Sequence, residues 1–312
     1  MRIHIFTAVA YMTVLAYALI SSADENTLAV KVDGKELVSY QAGPMSNPKG
    51  GDKFRASDFL HPVKTPSGFT VTGIQPDDHL HHFGFWWPWK YIEVDGRRIL
   101  CWELQEGDGI VKAQSGELTA EGFTSKSVYI DRKHPGGAVT LINEIVDAEV
   151  SGITDDPVKG YNIDLEIIHE STVDKTLTVS VYRYSGFTFR ATPYWNRDNC
   201  SVVTSSGLKY DRSNFTRAKW VKVEGNSDNG NTAGLLMMSY PDNKDHPEFL
   251  RTWNPGMENG AIFVNFNTVQ KMPWQFKPGA RYVRKYRVFV YDGRLSAENA
   301  EKLWRKYAYQ CE

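Results

Sequence analysis

The residues best suited to chemistry lie in one short stretch, Pro76 to Trp87, which reads PDDHLHHFGFWW. It holds three of the chain's eight histidines, two aspartates and two adjacent tryptophans. An imidazole titrates near neutral pH, so a histidine beside a carboxylate can transfer protons or bind a metal ion. An indole ring has a flat apolar face and a polar edge, which suits contact with a sugar. The stretch predicts a functional site and leaves the reaction open.

Three roles are open for the histidines. In acid–base catalysis, His79, His81 and His82 would transfer protons, with Glu103 as a further proton donor. In a metal site, His79 and His81 would share one face of a strand, opposite His82, and bind a divalent ion with Asp78 or Glu103. No cysteine partner or HExxH spacing accompanies them, so we expect neither a metal nor another cofactor. In a structural role, their hydrogen bonds would order a loop.

Other residues could form the walls of the same cleft. Arg190 follows Phe187-Thr188-Phe189 on the polar face of a predicted strand. Its guanidinium could bind the carboxylate of a uronic acid through two parallel hydrogen bonds, or it could form a surface ion pair. The predicted substrate-binding residues are Asp78, Trp86, Trp87, Arg251 and Trp253.

The overall composition excludes several function classes. The net charge is −1 and the basic residues are scattered, whereas a nucleic-acid partner requires a basic face. Neither a glycine-rich phosphate loop nor a serine nucleophile elbow occurs, which disfavours nucleotide and esterase chemistry. Aromatic residues make up 13% of the chain and include nine tryptophans. They could form a ligand-stacking surface or fill the core of a large β-protein, and both interpretations stay open.

Residues 1–23 are predicted to be a secretory signal peptide. Arg2 precedes an apolar run over residues 5–20, and the small residues 21–23 suit cleavage before Asp24. After the cleavage point no apolar run reaches membrane-spanning length, so we expect an exported protein, periplasmic or extracellular, with no membrane contact. Residues 24–312 are predicted to form a single domain. The three cysteines, Cys101, Cys200 and Cys311, allow at most one disulfide between any two of them.

Alternating apolar and polar residues predict that antiparallel strands position the site. Asp33-Gly34 is a hairpin turn between strands over 28–32 and 36–40. In Tyr161 to His169 the odd positions are mostly apolar and the even ones mostly polar, so one face is buried. Further strands are predicted over 176–184, 187–191, 234–239, 261–266 and 282–291. A helix begins after Ser296, with residues 297, 300, 303, 304 and 307 on one stripe. The fold class predicted is all-β, a large antiparallel β-sandwich with one C-terminal helix.

Several motifs, in order along the chain, resemble the PmoA-like bacterial family of unknown function, which takes its name from a methane mono-oxygenase subunit. These motifs are residues 61–68 (HPVKTPSG), 78–84 (DHLHHFG), 184–190 (YSGFTFR), 240–247 (YP…HP) and 286–293 (YRVFVYDG). The resemblance implies a β-sandwich like that of the galactose mutarotase superfamily. Because members of the family accompany carbohydrate-degrading and sugar-oxidising enzymes, it also implies a role with glycans. The chain departs from the family at Cys101-Trp102-Glu103, where an Asp-Phe-Trp-like stretch is usual.

Together these observations predict an exported carbohydrate-active protein, with an enzyme favoured. One histidine would remove a proton from the sugar, a second histidine or Glu103 would donate one, and Arg190 would stabilise a carboxylate or developing anion. That chemistry serves a lyase, a dehydratase, an epimerase or a hydrolase. Two alternatives stay open: a glycan-binding protein without catalysis, and a metal-dependent oxidoreductase.

Overall fold

The computed structural model describes residues 26–253 and 256–309, so the predicted signal peptide and Cys311 lie outside the described residues. Nearly all regular structure in this part is β-strand. The strands are β1 (Thr27–Val32), β2 (Lys35–Gln41), β3 (Leu60–Val63), β4 (Phe85–Trp86), β5 (Tyr91–Val94), β6 (Arg97–Leu100), β7 (Gly109–Leu118), β8 (Gly122–Asp131), β9 (Val139–Val150), β10 (Gly160–Ser171), β11 (Leu177–Val179), β12 (Thr188–Arg190), β13 (Cys200–Thr204), β14 (Arg217–Ala218), β15 (Trp220–Asn226), β16 (Thr232–Ser239), β17 (Glu248–Thr252), β18 (Phe263–Asn267), β19 (Trp274–Phe276) and β20 (Arg281–Asp292). The helices are α1 (Tyr210–Ser213) and α2 (Ala297–Tyr309).

The strands form three antiparallel sheets. The first has the order β1-β2-β3-β4-β12-β18-β17-β14, and the second has the order β13-β15-β16-β20-β10-β9-β8-β7. The third is smaller, with the order β19-β11-β5-β6. β4 and β12 are neighbours in the first sheet, and this pairing brings the histidine stretch next to Arg190.

Two apolar interiors hold the layers together. The main core lies between the first and second sheets, with Phe85 and Phe189 on one side and Ile163 and Val288 on the other. A second cluster lies between the small sheet and the far end of the second sheet. Helix α2 packs on the outer face of the second sheet, against residues that include Trp220 and Phe289. The predicted β-sandwich with a C-terminal helix is therefore confirmed.

Most of the predicted elements are present, with two differences. The Asp33-Gly34 turn has positive φ at both residues, as a tight hairpin requires, and Ser296 caps α2 by accepting a hydrogen bond from the Asn299 N–H at 3.1 Å. The strand predicted over 176–184 is wrong beyond Val179, because the chain leaves the sheet there. The one-turn helix α1 was not predicted.

The structure also bears on two further expectations, one about membrane-spanning segments and one about the cysteines. Neither helix in the described part of the chain has both the length and the apolar character needed to cross a membrane. Cys101 and Cys200 are free thiols, and burial raises the pKa of both. A buried thiol with a raised pKa is a poor nucleophile, so neither cysteine is a candidate for catalysis.

Candidate functional site

The three histidines lie on a turn rather than on a strand. The Pro76 carbonyl accepts a hydrogen bond from the His79 N–H, and the His79 carbonyl accepts one from the His82 N–H, both at 3.0 Å. The prediction that His79 and His81 share one face, opposite His82, is therefore wrong. The turn brings all three rings together, with centroid distances of 4.5 to 5.5 Å.

Asp78 and His79 form a hydrogen-bonded pair at the edge of this cluster. Nδ1 of His79 lies 3.1 Å from Oδ2 of Asp78, and each side chain is about one quarter exposed. Nε2 of His79 has no hydrogen-bond partner among residues 26–253 and 256–309. Burial raises the pKa of the Asp78 carboxyl, but hydrogen bonds from His79 and Arg190 outweigh it and lower the pKa to about 2. Asp78 is therefore a carboxylate at neutral pH and can orient the ring of His79.

Arg190 holds Asp78 in place. Its Nη2 donates to both carboxylate oxygens of Asp78 at 2.9 Å, and its guanidinium lies 4.8 Å from the ring centre of Trp253. Arg190 is only 5% exposed, so the expectation of an open carboxylate-binding arginine is wrong. β12 places this side chain next to the turn because Arg190 also donates its backbone N–H to the Gly84 carbonyl. Its role in this structure is to position Asp78.

His82 lies beneath His79 and is closed to solvent. The two rings stack with their centroids 4.5 Å apart, and Trp86 and Phe263 contact the other sides of His82. Burial, together with the nearby charges of His81 and Arg190, lowers the pKa of His82 well below its usual value. Nη1 of Arg190 lies 3.5 Å from Nδ1 of His82. A neutral and buried His82 supports the ring of His79 and cannot contact a substrate directly.

His81 is more accessible and lies on the side of the cluster nearest Lys90. Burial, followed by the charges of His79 and Lys90, lowers the pKa of His81 to about 3. His81 lines a small cavity of about 30 Å³ together with Trp86 and Trp102. It is therefore a neutral imidazole at pH 7 and binds a proton only weakly.

Glu103 reaches the same neighbourhood but pairs with Lys90, whose Nζ donates to Oε1. Its other oxygen, Oε2, is buried without a hydrogen-bond partner among the described residues. The structure therefore assigns Glu103 to Lys90 rather than to a histidine. Lys90 was not identified in the sequence, where nothing distinguishes it from other lysines.

The predicted substrate-binding residues are mostly buried. Trp87 is fully buried and donates from Nε1 to Glu144 in the interior, so the prediction that it stacks on a ligand is wrong. Trp86 and Trp253 are 3% and 1% exposed, and they pack against the histidines instead of facing solvent. Arg251 is also buried, where it donates from Nη2 to the Tyr184 hydroxyl at 3.0 Å.

The buried tryptophans also settle the meaning of the aromatic content. Eight of the nine are buried, and only Trp274 is partly exposed. The buried ones are Trp86, Trp87, Trp89, Trp102, Trp195, Trp220, Trp253 and Trp304. The tryptophans therefore mainly fill the cores, and they do not form an exposed stacking platform.

Glu258 completes a group of possible metal ligands that the sequence did not indicate. One ligand atom each from Asp78, His79 and Glu258 lie within 4.8 Å of one another. Glu258 has a positive φ of 46° and lies on a short 3-10 turn 180 residues after Asp78, so no local pattern pointed to it. His81 does not belong to this group, so the group differs from the His79 and His81 pair of the metal alternative.

The fold and site define an all-β antiparallel protein with a histidine and aspartate cluster on a turn between its sheets. The chain belongs to a family of unknown function, DUF6807, whose model matches residues 27–305. This assignment agrees with the expected resemblance in one respect only, that the family has no known function. It gives no link to a methane oxygenase subunit. None of the curated proteins matches the chain.

Two solved structures are similar to this chain at low identity. One is a polysaccharide lyase, with 11% identity and a TM-score of 0.44, covering 86% of this chain and 34% of that chain. The other is a galactose mutarotase related enzyme from Lactobacillus acidophilus, with 10% identity and a TM-score of 0.39, covering 87% of this chain and 98% of that chain. The chain thus spans about a third of the lyase. With TM-scores this low, the fold class rests on the sheets described above.

Proposed function

We propose that the protein is a carbohydrate-active enzyme in which His79 transfers a proton to or from a sugar. The observation that carries this proposal is the Asp78–His79 pair, whose Nδ1 is held by a carboxylate while Nε2 has no described partner. A carboxylate at Nδ1 selects the tautomer with a basic Nε2 and stabilises the imidazolium formed when that nitrogen takes a proton. The neutral His81 beside it could donate a hydrogen bond from its ring N–H to an oxygen of the sugar.

The geometry favours proton removal from a sugar carbon over hydrolysis. Glycoside hydrolysis usually requires two carboxyl groups on either side of the bond, one of them a protonated acid. Asp78 is ionised and bound by Arg190 through both oxygens, and Glu103 is bound by Lys90. Of the candidate reactions, those of a lyase, a dehydratase or an epimerase can begin with proton removal from carbon by a histidine base.

The test incubates residues 24–312 with uronic-acid-containing and neutral oligosaccharides, followed by mass spectrometry. We expect either an eliminated product or exchange of a carbon-bound proton in heavy water. His79→Ala should lower the rate about 100-fold or more, since general base catalysis contributes that much. His134→Ala is the matched control, because His134 is exposed on the turn between β8 and β9 and does not line the histidine cluster. Full activity of His79→Ala would place the base elsewhere.

Neither product nor proton exchange on any sugar would favour a glycan-binding protein without catalysis. That alternative has less support than the sequence suggested, because it relied on tryptophans that are buried. Binding of an oligosaccharide with no turnover, unaffected by His79→Ala, would nevertheless establish it.

A metal-dependent enzyme is the second candidate, and the Asp78–His79–Glu258 group favours it. Three ligands with open positions are typical of catalytic metal sites. A metal bound to Nε2 of His79 would occupy the lone pair that the base needs, so the two proposals exclude each other. Elemental analysis decides: metal bound at one equivalent, and lost in Glu258→Gln, would replace the acid–base proposal.

Export is part of the proposal and rests on residues 1–23 of the sequence. N-terminal sequencing of the secreted protein should find Asp24 as its first residue. A protein retained in the cytoplasm with residues 1–23 intact would contradict it.

A further inference from the structure

A groove of about 430 Å³ is lined by residues of the 44–56 loop and of strands β7 and β8. Four basic side chains line it: Lys53, Arg55, Lys112 and Arg132. All four are exposed, and the single carboxylate on its wall is that of Asp52. We call this the cationic groove. Its volume lies within the range of ordinary small-ligand sites.

The charge of the cationic groove is not balanced by the protein. Within residues 26–253 and 256–309, no carboxylate forms an ion pair with any of the four basic side chains, whereas the neighbouring Lys133 pairs with Asp108 at 2.5 Å. The chain as a whole carries a net charge of −1, so this local excess is a specific arrangement. Like charges that converge on one groove repel one another, and an anionic ligand would relieve that repulsion.

The cationic groove adjoins the histidine cluster. Ala56, Ser57 and Leu104 line it and also line the cavity next to His81. The same loop contacts the histidine turn, because Asn47 donates from Nδ2 to the Leu80 carbonyl at 3.2 Å. A chain of sugars bound in the groove would therefore lie next to the wall that the groove shares with the cavity beside His81.

We infer that the cationic groove binds an acidic polysaccharide, whose carboxylates pair with Arg55, Lys112 and their neighbours. This inference rests on the proposed function and narrows its substrate to polymers that contain uronic acids. A single-stranded nucleic acid is a poorer fit, since such ligands stack on aromatic side chains and none lines the groove. Arginine and lysine bind carboxylates through charge-assisted hydrogen bonds.

The test measures the binding of a galacturonic acid hexamer by calorimetry in a His79→Ala background, which separates binding from turnover. Arg55→Gln with Lys112→Gln should weaken binding about three- to tenfold, as expected for two exposed ion pairs. Lys159→Gln with Lys271→Gln removes the same charge from exposed positions outside the groove and should leave binding unchanged. Binding should also weaken as salt is added.

The other outcomes are distinct. Equal loss in both double variants, or equal affinity for the fully methyl-esterified hexamer, would overturn the acidic-polysaccharide site. If a DNA oligomer competed for the cationic groove more strongly than the galacturonic acid hexamer, the acidic-polysaccharide site would also be overturned. If the hexamer binds tightly to the groove but the wild-type protein releases no product, the acidic-polysaccharide site stands and the proposed catalysis is refuted. If the protein turns over neutral sugars but does not bind the hexamer, the proposed catalysis stands and the acidic-polysaccharide site is refuted.

Discussion

At the scale of single residues, the site consists of titratable groups whose pKa values burial and close partners have lowered. Burial lowers the pKa of His81 to about 3, while partners outweigh burial and lower the pKa of Asp78 to about 2. At pH 7 the first is a neutral imidazole and the second a carboxylate. The sequence shows both residue types side by side, but the pKa shifts depend on burial and on partners such as Arg190, which is 112 residues away from Asp78 in the chain.

The low pKa of His81 predicts a specific pH dependence of stability. An unfolded histidine has a pKa of 6.5, so below that pH the unfolded state binds a proton that the folded state refuses. The contribution of His81 to stability is complete above pH 6.5 and is lost as the pH falls toward 3, by at most about 1.4 kcal/mol per pH unit. Urea unfolding of the wild type and His81→Gln between pH 7 and pH 4 measures it. Parallel curves for the two proteins would contradict the burial of His81.

At the scale of elements, the histidine turn is held by its junction with β4. Gly84 has a φ of +36°, and its backbone N–H donates to the Gly73 carbonyl at 2.9 Å. A Cβ built at Gly84 would lie 2.2 Å from the Leu60 carbonyl oxygen on β3. Only glycine fits between these strands, so Gly84 sets the position of the turn relative to Arg190.

Gly84→Ala is therefore expected to destabilise the protein by about 3 kcal/mol and to reduce activity, because both backbone strain and a clash with backbone oppose it. Gly96→Ala is the matched control: Gly96 also has a positive φ, of 70°, but nothing lies within 4 Å of a Cβ there. Gly96→Ala should lower the free energy of unfolding by only about 1 kcal/mol. Equal losses in thermal unfolding would show that the contact with β3 relaxes freely.

At the scale of the whole molecule, buried polar groups join the two large sheets. Glu248, at the start of β17 in the first sheet, accepts hydrogen bonds from Ser239 at 2.6 Å and Tyr286 at 3.1 Å, both in the second sheet. Asn243 and Thr268 donate to the same carboxyl at 3.2 and 2.7 Å. Burial raises the pKa of Glu248. Four donors on one buried group make it a joint between the sheets.

Glu248→Ala should lower the free energy of unfolding by about 3–5 kcal/mol, since it leaves a cavity and four buried donors without their acceptor. Glu166→Ala removes the same side chain from the exposed face of β10, where it pairs with Lys285 at 2.6 Å. Glu166→Ala should lower the free energy of unfolding by less than about 1 kcal/mol. Urea unfolding with unchanged m-values is the measurement, and comparable losses would mean that Glu248 does not join the sheets.

Local patterns predicted the elements well and the contacts of the site poorly. Alternation in Tyr161 to His169 predicted the buried face of β10, because a strand's period of two is written directly in the residues. The spacing of apolar and polar residues could not reveal that residues 77–82 form a turn, because three histidines so close together form no periodic pattern. Trp87 was predicted to face a ligand and instead donates to Glu144 on β9, a contact made across the core.

By itself, the sequence determined the all-β class, the C-terminal helix and the stretch of the chain that carries the site, because turn residues, period and residue chemistry are local properties. Only the tertiary structure decided that Arg190 holds Asp78, that Glu258 joins His79 and that four unpaired cations converge on one groove. These residues come from separate strands and loops, and their proximity follows from how the sheets pack. Burial, which sets their charges, is likewise a property of the folded chain.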